Sequence, residues 1–177
     1  MIIKKLIFLF LEAENGKEMP LDERGKKRVL REMEKFHSST EKKFYQMLLD
    51  PDNMQMAYGI LFELDDPYKG GEYIIEIKLP DDYPFAPPVV KFLTPNGRFK
   101  NNVPICLSIT HYHSETWSPH LDVEKVIQSV TSVLFDKDIN PGVGFIETSD
   151  EEKKKLAWES TEYNKVHNKK ILSWREK

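Results

Sequence analysis

Residues 54–79 read MQMAYGILFELDDPYKGGEYIIEIKL, and this run decides the fold. Met54, Met56, Tyr58, Ile60, Phe62 and Leu64 alternate without a break, the period of a strand that buries one face. Tyr73, Ile75, Ile77 and Leu79 repeat the pattern. Between them DDPYKGG supplies turn residues, with two glycines able to take positive φ. The spacing predicts an antiparallel hairpin. Val89–Leu93 reads as a further short strand. The four prolines of LPDDYPFAPP, residues 79–88, cannot lie in a central strand, so they predict a stiff connection that presents Phe85 outward.

Helical patterns flank these strands. Asp22 is a good N-cap type, and Val29, Leu30, Met33 and Phe36 follow on one face. Lys26, Lys27, Arg28, Arg31 and Lys35 surround them. Basic residues in the first turns oppose the helix dipole, which leaves a protein-docking role open beside a merely solvated face. Asp122 opens a second helix with the stripe Val123, Val126, Ile127, Val130 and Leu134. Ser149-Asp150-Glu151-Glu152 has capping-box form and predicts a third, with Leu156, Ser160, Tyr163 and His167 on one face. Helix, strands, then helices is an α+β arrangement. No repeat or linker divides it.

The chain's 177 residues suit one domain with a sizeable core. A net charge of -3 gives no ground for nucleic-acid binding. A single cysteine excludes an internal disulfide and a cysteine-based zinc site, and it suits a reducing compartment. The opening MIIKKLIFLFL has the basic start of a signal peptide. However, its apolar run Leu6–Leu11 is shorter than the roughly 7–15 residues of a signal core, and no small-residue cleavage site follows. It is also far short of the roughly 20 residues that span a bilayer. Residues 1–20 therefore read as an N-terminal extension, an extra strand or docking helix, before a domain over 21–173.

Residues 94–117, TPNGRFKNNVPICLSITHYHSETW, lack either period. A long irregular segment inside a compact domain is usually functional, and this one is too apolar to be disordered. It holds Cys106. Buried thiols often behave as small hydrophobes, but loops held by a scaffold are where reactive groups concentrate. His111 and His113 lie too near in sequence to settle a base for a cysteine hydrolase.

Several motifs in order resemble one family: PYKGGEY, then LPDDYPFAPPVVKF, TPNGRF, ICLSIT and TWSP. Together, from about Asp22 to about Leu172, they look like a ubiquitin-conjugating enzyme. Most members carry His-Pro-Asn where this chain has Thr94-Pro95-Asn96, and a gap to the cysteine shorter by two. TPNGRF, the longer gap, CLSIT and GFIETSD resemble the tail-anchored branch of the endoplasmic reticulum that serves protein quality control.

The resemblance implies the UBC-like fold: an N-terminal helix, a four-stranded antiparallel meander, an active-site loop and C-terminal helices. It implies that Cys106 takes ubiquitin as a thioester from the activating enzyme. Transfer to the lysines of protein substrates follows, with a RING-type or other ubiquitin ligase; this branch is also associated with hydroxyl acceptors. Asn96 matches the family asparagine, either as a donor to the oxyanion or as a holder of the loop. His113 is open between support and proton transfer, and Asp136 and Asp138 between orienting an acceptor and being solvated loop acids. Lys27 and Arg28 match the surface for the activating enzyme, while Phe85, Ser118 and Pro119 match the ligase surface. The implied location is cytoplasmic, at the cytosolic face of the endoplasmic reticulum for that branch, whose membrane anchor is not among these 177 residues. A non-catalytic ubiquitin-binding module of the same fold is the alternative; members of that class lack the cysteine.

Overall fold

The computed structural model describes residues 21–40, 44–136 and 142–175, without the side chains of Tyr112 and His113. The N-terminal extension, Asp138 and the side chain of His113 therefore lie outside the described residues.

Helix α1 (Glu23–Ser38) starts where expected, with the Asp22 carboxylate accepting from the Gly25 N–H. Strands β1 (Tyr45–Asp50), β2 (Asn53–Leu61), β3 (Tyr73–Lys78) and β4 (Val89–Phe92) follow. They form one antiparallel sheet in the order β1-β2-β3-β4, and Gly59 stands opposite Ile75 in the predicted hairpin. A 3-10 turn (His111–Thr116) precedes α2 (Val123–Phe135), whose N-cap is Asp122. Helices α3 (Asp150–His167) and α4 (Lys169–Leu172) close the described fold, and the Ser149 hydroxyl caps α3 by accepting from the Glu152 N–H. None of the described helices is long and apolar enough to cross a membrane.

The main core joins one face of the sheet to α1 and α2. Ala57, Leu61, Ile75, Ile77 and Phe92 meet Val29, Met33 and Phe36 of α1 and Val126, Ile127 and Val130 of α2. The alternation read in β2 requires correction here. A half-buried strand was expected, but β2 is buried on both faces: Ala57 and Leu61 point to the main core, while Tyr58 and Ile60 enter a second cluster. That cluster is closed by Ile171, with Leu172 and Trp174 packed against it, so the C-terminal segment covers the sheet's outer face.

A second correction concerns α3. The face expected to pack was Leu156, Ser160, Tyr163 and His167, yet the helix buries Ala157, Ser160 and Asn164, and leaves His167 exposed. The cause is polar docking. The Ser160 hydroxyl accepts from the Glu72 N–H at 2.8 Å, and the Asn164 amide donates to the Glu72 carbonyl at 2.9 Å. Buried polar atoms must be paired, so the helix turns toward the main-chain groups at the start of β3.

Candidate active site

The loop that leads to Cys106 begins at Thr94, which is fully buried. Its hydroxyl accepts from the Ile74 N–H at 2.9 Å and donates to the Asn164 side-chain oxygen at 2.6 Å. That oxygen also accepts from the Asn168 amide at 2.9 Å. The hydroxyl thus anchors the loop at once to β3 and to α3.

Asn96, also fully buried, shapes the next turn. Its side-chain oxygen accepts from the Arg98 N–H at 2.9 Å and the Phe99 N–H at 2.8 Å, and its amide donates to the Thr94 carbonyl at 3.2 Å. Gly97 makes the turn possible, with φ of 77°, a region where a Cβ is disfavoured. Arg98 is buried in turn. Its guanidinium donates to the Asp136 carbonyl at 2.6 Å and lies over the Phe145 ring.

Cys106 itself is half-buried, and its main chain is held from two sides. The Ile105 N–H donates to the Val90 carbonyl of β4 at 2.9 Å, and the Cys106 N–H donates to the Val143 carbonyl at 3.0 Å. Just beyond, the buried Thr110 hydroxyl accepts from the Leu107 N–H at 2.9 Å. The Cys106 side chain therefore stands on a pinned backbone rather than on a loose loop.

Residues 142–146 form a strap that joins both halves of the site. Besides its bond to Cys106, it accepts from the Lys100 N–H through Gly144 at 2.8 Å and donates from the Ile146 N–H to the Arg98 carbonyl at 3.0 Å. Gly144, at φ 88°, lies so close that a Cβ would meet the Pro104 carbonyl oxygen at 2.7 Å. The turn shaped by Asn96 and the segment that carries Cys106 are thus bonded to the same few residues. The sequence reading missed this strap; its signal was the pair of glycines in PGVG.

Of the acidic candidates, Asp136 is exposed at the end of α2 and joins the site through its carbonyl. His111 is exposed at the start of the 3-10 turn, and partial burial lowers its pKa.

The residues read as a docking surface also come together. Phe85 is 64% exposed. Beside it, the Pro84 carbonyl accepts from the Trp117 indole at 2.8 Å, which ties the proline-rich connection to half-exposed Ser118 and Pro119. Behind them sits Glu32, a buried carboxylate that the sequence reading did not single out, although it lies on the apolar face between Val29 and Phe36. It accepts from the Tyr83 hydroxyl at 2.9 Å, the Val123 N–H at 2.9 Å and the Arg28 guanidinium. Burial raises its pKa, against those hydrogen bonds. Lys27 is exposed, whereas Arg28 is half-buried and also donates to the Leu121 carbonyl at 3.1 Å. Among the described residues, no cluster of His, Cys, Asp and Glu is placed to hold a metal ion.

Residues 28–169 match the ubiquitin-conjugating enzyme family. The chain is 39% identical over 111 residues to ubiquitin-conjugating enzyme E2 6 of Candida glabrata, covering 63% of this chain and 44% of that protein. It is 44% identical over 98 residues to ubiquitin-conjugating enzyme E2 J2 of Mus musculus, covering 55% and 37%. With ubiquitin-conjugating enzyme E2 32 of Arabidopsis thaliana it shares 33% identity over 150 residues, 82% of this chain and 48% of that one. The matches thus span about half or less of these relatives' length. A solved Plasmodium yoelii chain assigned to the ubiquitin conjugating enzymes shares the fold, with a TM-score of 0.59, 21% identity, and coverage of 86% of this chain and 94% of that one. The chain belongs to the ubiquitin-conjugating enzyme family.

Proposed function

We propose that Cys106 accepts ubiquitin from the activating enzyme and passes it to protein substrates with a ubiquitin ligase. The observation that carries this is the chain's single cysteine, half-exposed and pinned on both sides within a fold of this family. The Cys106 thiolate attacks the carbonyl carbon of the ubiquitin thioester on the activating enzyme. The thiolate of that enzyme leaves as the new thioester forms. A substrate amine, or a hydroxyl, then attacks the same carbonyl and releases Cys106, so the acyl group arrives already activated and no metal or nucleotide is needed here.

Asn96 spends both of its side-chain groups on the loop, which supports its role as a holder of that loop rather than as an oxyanion donor. Asp136, exposed and bonded through its carbonyl to Arg98, is the first candidate to orient an acceptor; Asp138 and His113 are candidates on the sequence resemblance alone. Exposed Lys27 is the first-choice contact for the activating enzyme, while Arg28 acts by fixing α1 against the segment before α2. Phe85, Ser118 and Pro119 form the ligase surface, which suits a RING-type partner. Work at the cytosolic face of the endoplasmic reticulum, in protein quality control, is supported by the TPNGRF, CLSIT and GFIETSD motifs.

The test is a gel. The chain is incubated with activating enzyme, ATP and ubiquitin, then run with and without reducing agent. A thiol-sensitive adduct that disappears with Cys106→Ala is expected; no adduct, or one that persists in that variant, overturns the proposal. A ubiquitin-like modifier in place of ubiquitin, run in parallel, tests the choice of acyl group.

A further inference from the structure

Gly97 lies in the entry turn and Gly142 and Gly144 abut the Cys106 segment, and one of the three differs from the others in kind. Gly97 and Gly144 have positive φ, so their backbone alone disfavours a side chain. Gly142 has no such φ, so an L-residue can adopt its backbone. It is also exposed. What a side chain would meet there is the candidate nucleophile: a Cβ at Gly142 would lie 3.3 Å from the Cys106 Cβ, 3.6 Å from its carbonyl oxygen and 3.6 Å from its Sγ. The neighbouring Cys106 N–H···Val143 bond fixes this spacing, so the strap cannot drift away without losing it.

We infer that Gly142 is a specificity-determining residue, which keeps one flank of the Cys106 sulfur clear for bulky acyl donors and acceptors. An alanine methyl there would sit in van der Waals contact with Sγ and cover part of that flank. A valine would cover more. The inference rests on the thioester reading for its meaning, since the groups that need the clearance are the ubiquitin tail and the incoming substrate amine. The geometry itself concerns only access to sulfur and can be measured without ubiquitin.

The experiment compares wild type with Gly142→Ala and Gly142→Val. Cys106 alkylation is timed with small iodoacetamide and with a bulky maleimide, and thioester discharge is timed with hydroxylamine and with a lysine-bearing peptide. Urea unfolding of each variant checks that the fold is intact. The expected result is graded. Gly142→Val, which adds three carbons, slows the bulky reagent and the peptide by about tenfold or more, the scale of a single misfit methylene in a shaped site. Gly142→Ala falls between, and the small reagents change little. Variants that react like wild type with both reagents overturn the inference, as does an equal slowing of small and bulky reagents in a folded protein. Should wild type form no thioester, the functional proposal fails, while the alkylation series still decides whether Gly142 controls access. If Gly142→Val unfolds, Gly142→Ala alone still decides the matter, because the backbone φ permits alanine and its 3.3 Å contact with the Cys106 Cβ needs a shift of only a few tenths of an ångström.

Discussion

Thr94→Val removes one hydroxyl while it keeps the shape of the side chain. The Ile74 N–H, whose acceptor the hydroxyl is, would then be buried without a partner near the start of β3, just past the end of β4. Leaving such a donor unpaired costs about 1–3 kcal/mol. The Asn164 oxygen loses one of two donors but keeps the Asn168 amide, so its share is smaller. A total of about 2–3 kcal/mol is expected, which for a domain of this size lowers the melting temperature by about 5–10 °C. Urea unfolding measures it, with a lower midpoint and an unchanged slope. A double-mutant cycle with Asn164→Leu should give a coupling of about 1 kcal/mol, because the two side chains share one hydrogen bond. A loss below about 0.5 kcal/mol, the range of ordinary surface changes, or strict additivity in the cycle would refute the claim that this hydroxyl anchors the loop.

Asn96→Ala takes away the acceptor of two buried main-chain donors and should cost about 2–4 kcal/mol by urea unfolding. Asn96→Asp keeps an oxygen that accepts from both but faces the Thr94 carbonyl with an acceptor unless it is protonated, so its loss should shrink toward low pH while that of Asn96→Ala does not; equal losses at every pH would count against the loop-holding role. Glu32 has a raised pKa in the folded protein, chiefly through burial, so between its ordinary value and the raised one the folded state holds more protons than the unfolded state. Its contribution to stability is therefore fully present at low pH and is lost as pH rises through that window. Glu32→Gln should flatten the decline in a series of urea titrations across the mildly acidic range, and parallel profiles would contradict the assignment. Phe85→Ala should leave stability within about 0.5 kcal/mol and charging of Cys106 unchanged, yet slow ligase-stimulated discharge. Normal discharge with every ligase tried would remove Phe85 from the docking surface.

The elements with a strong local signal were legible in the sequence. Asp22, Asp122 and Ser149 cap their helices as their residue types indicate, and the stripe from Val123 to Leu134 is buried as its spacing requires. The DDPYKGG turn joins the predicted hairpin. Periodicity missed β1, though Tyr45, Met47 and Leu49 alternate as buried residues, and the four-stranded count came from family resemblance. It also misjudged β2 and α3, for one reason: burial there depends on partners distant in sequence. Trp174 and Ile171 cover the outer sheet face from the end of the chain, and Glu72 draws Ser160 and Asn164 inward through hydrogen bonds that no apolar count detects.

The site divides in the same way. Cys106 stood out as the single thiol in an irregular stretch, and Phe85 is exposed as its prolines predicted. Arg28 illustrates the limit, since its neighbours Glu32 and Leu121 turn a basic surface residue into an internal tie. The strap at 142–146 was beyond reach from spacing alone. It acts through main-chain bonds to Arg98, Lys100 and Cys106, and main-chain contacts leave only their glycines as a trace.

The central claim is that an acyl bond forms at the Cys106 side chain, and Cys106→Ser tests it most directly. With serine as the nucleophile, the bond to ubiquitin becomes an oxygen ester that survives reducing agent. The variant is charged with activating enzyme, ATP and ubiquitin, digested, and analysed by mass spectrometry. The account predicts a reductant-resistant adduct whose only new modification is the ubiquitin C-terminal remnant at position 106. A remnant confined to lysines, or no adduct at all while wild type still gains ubiquitin, would contradict it.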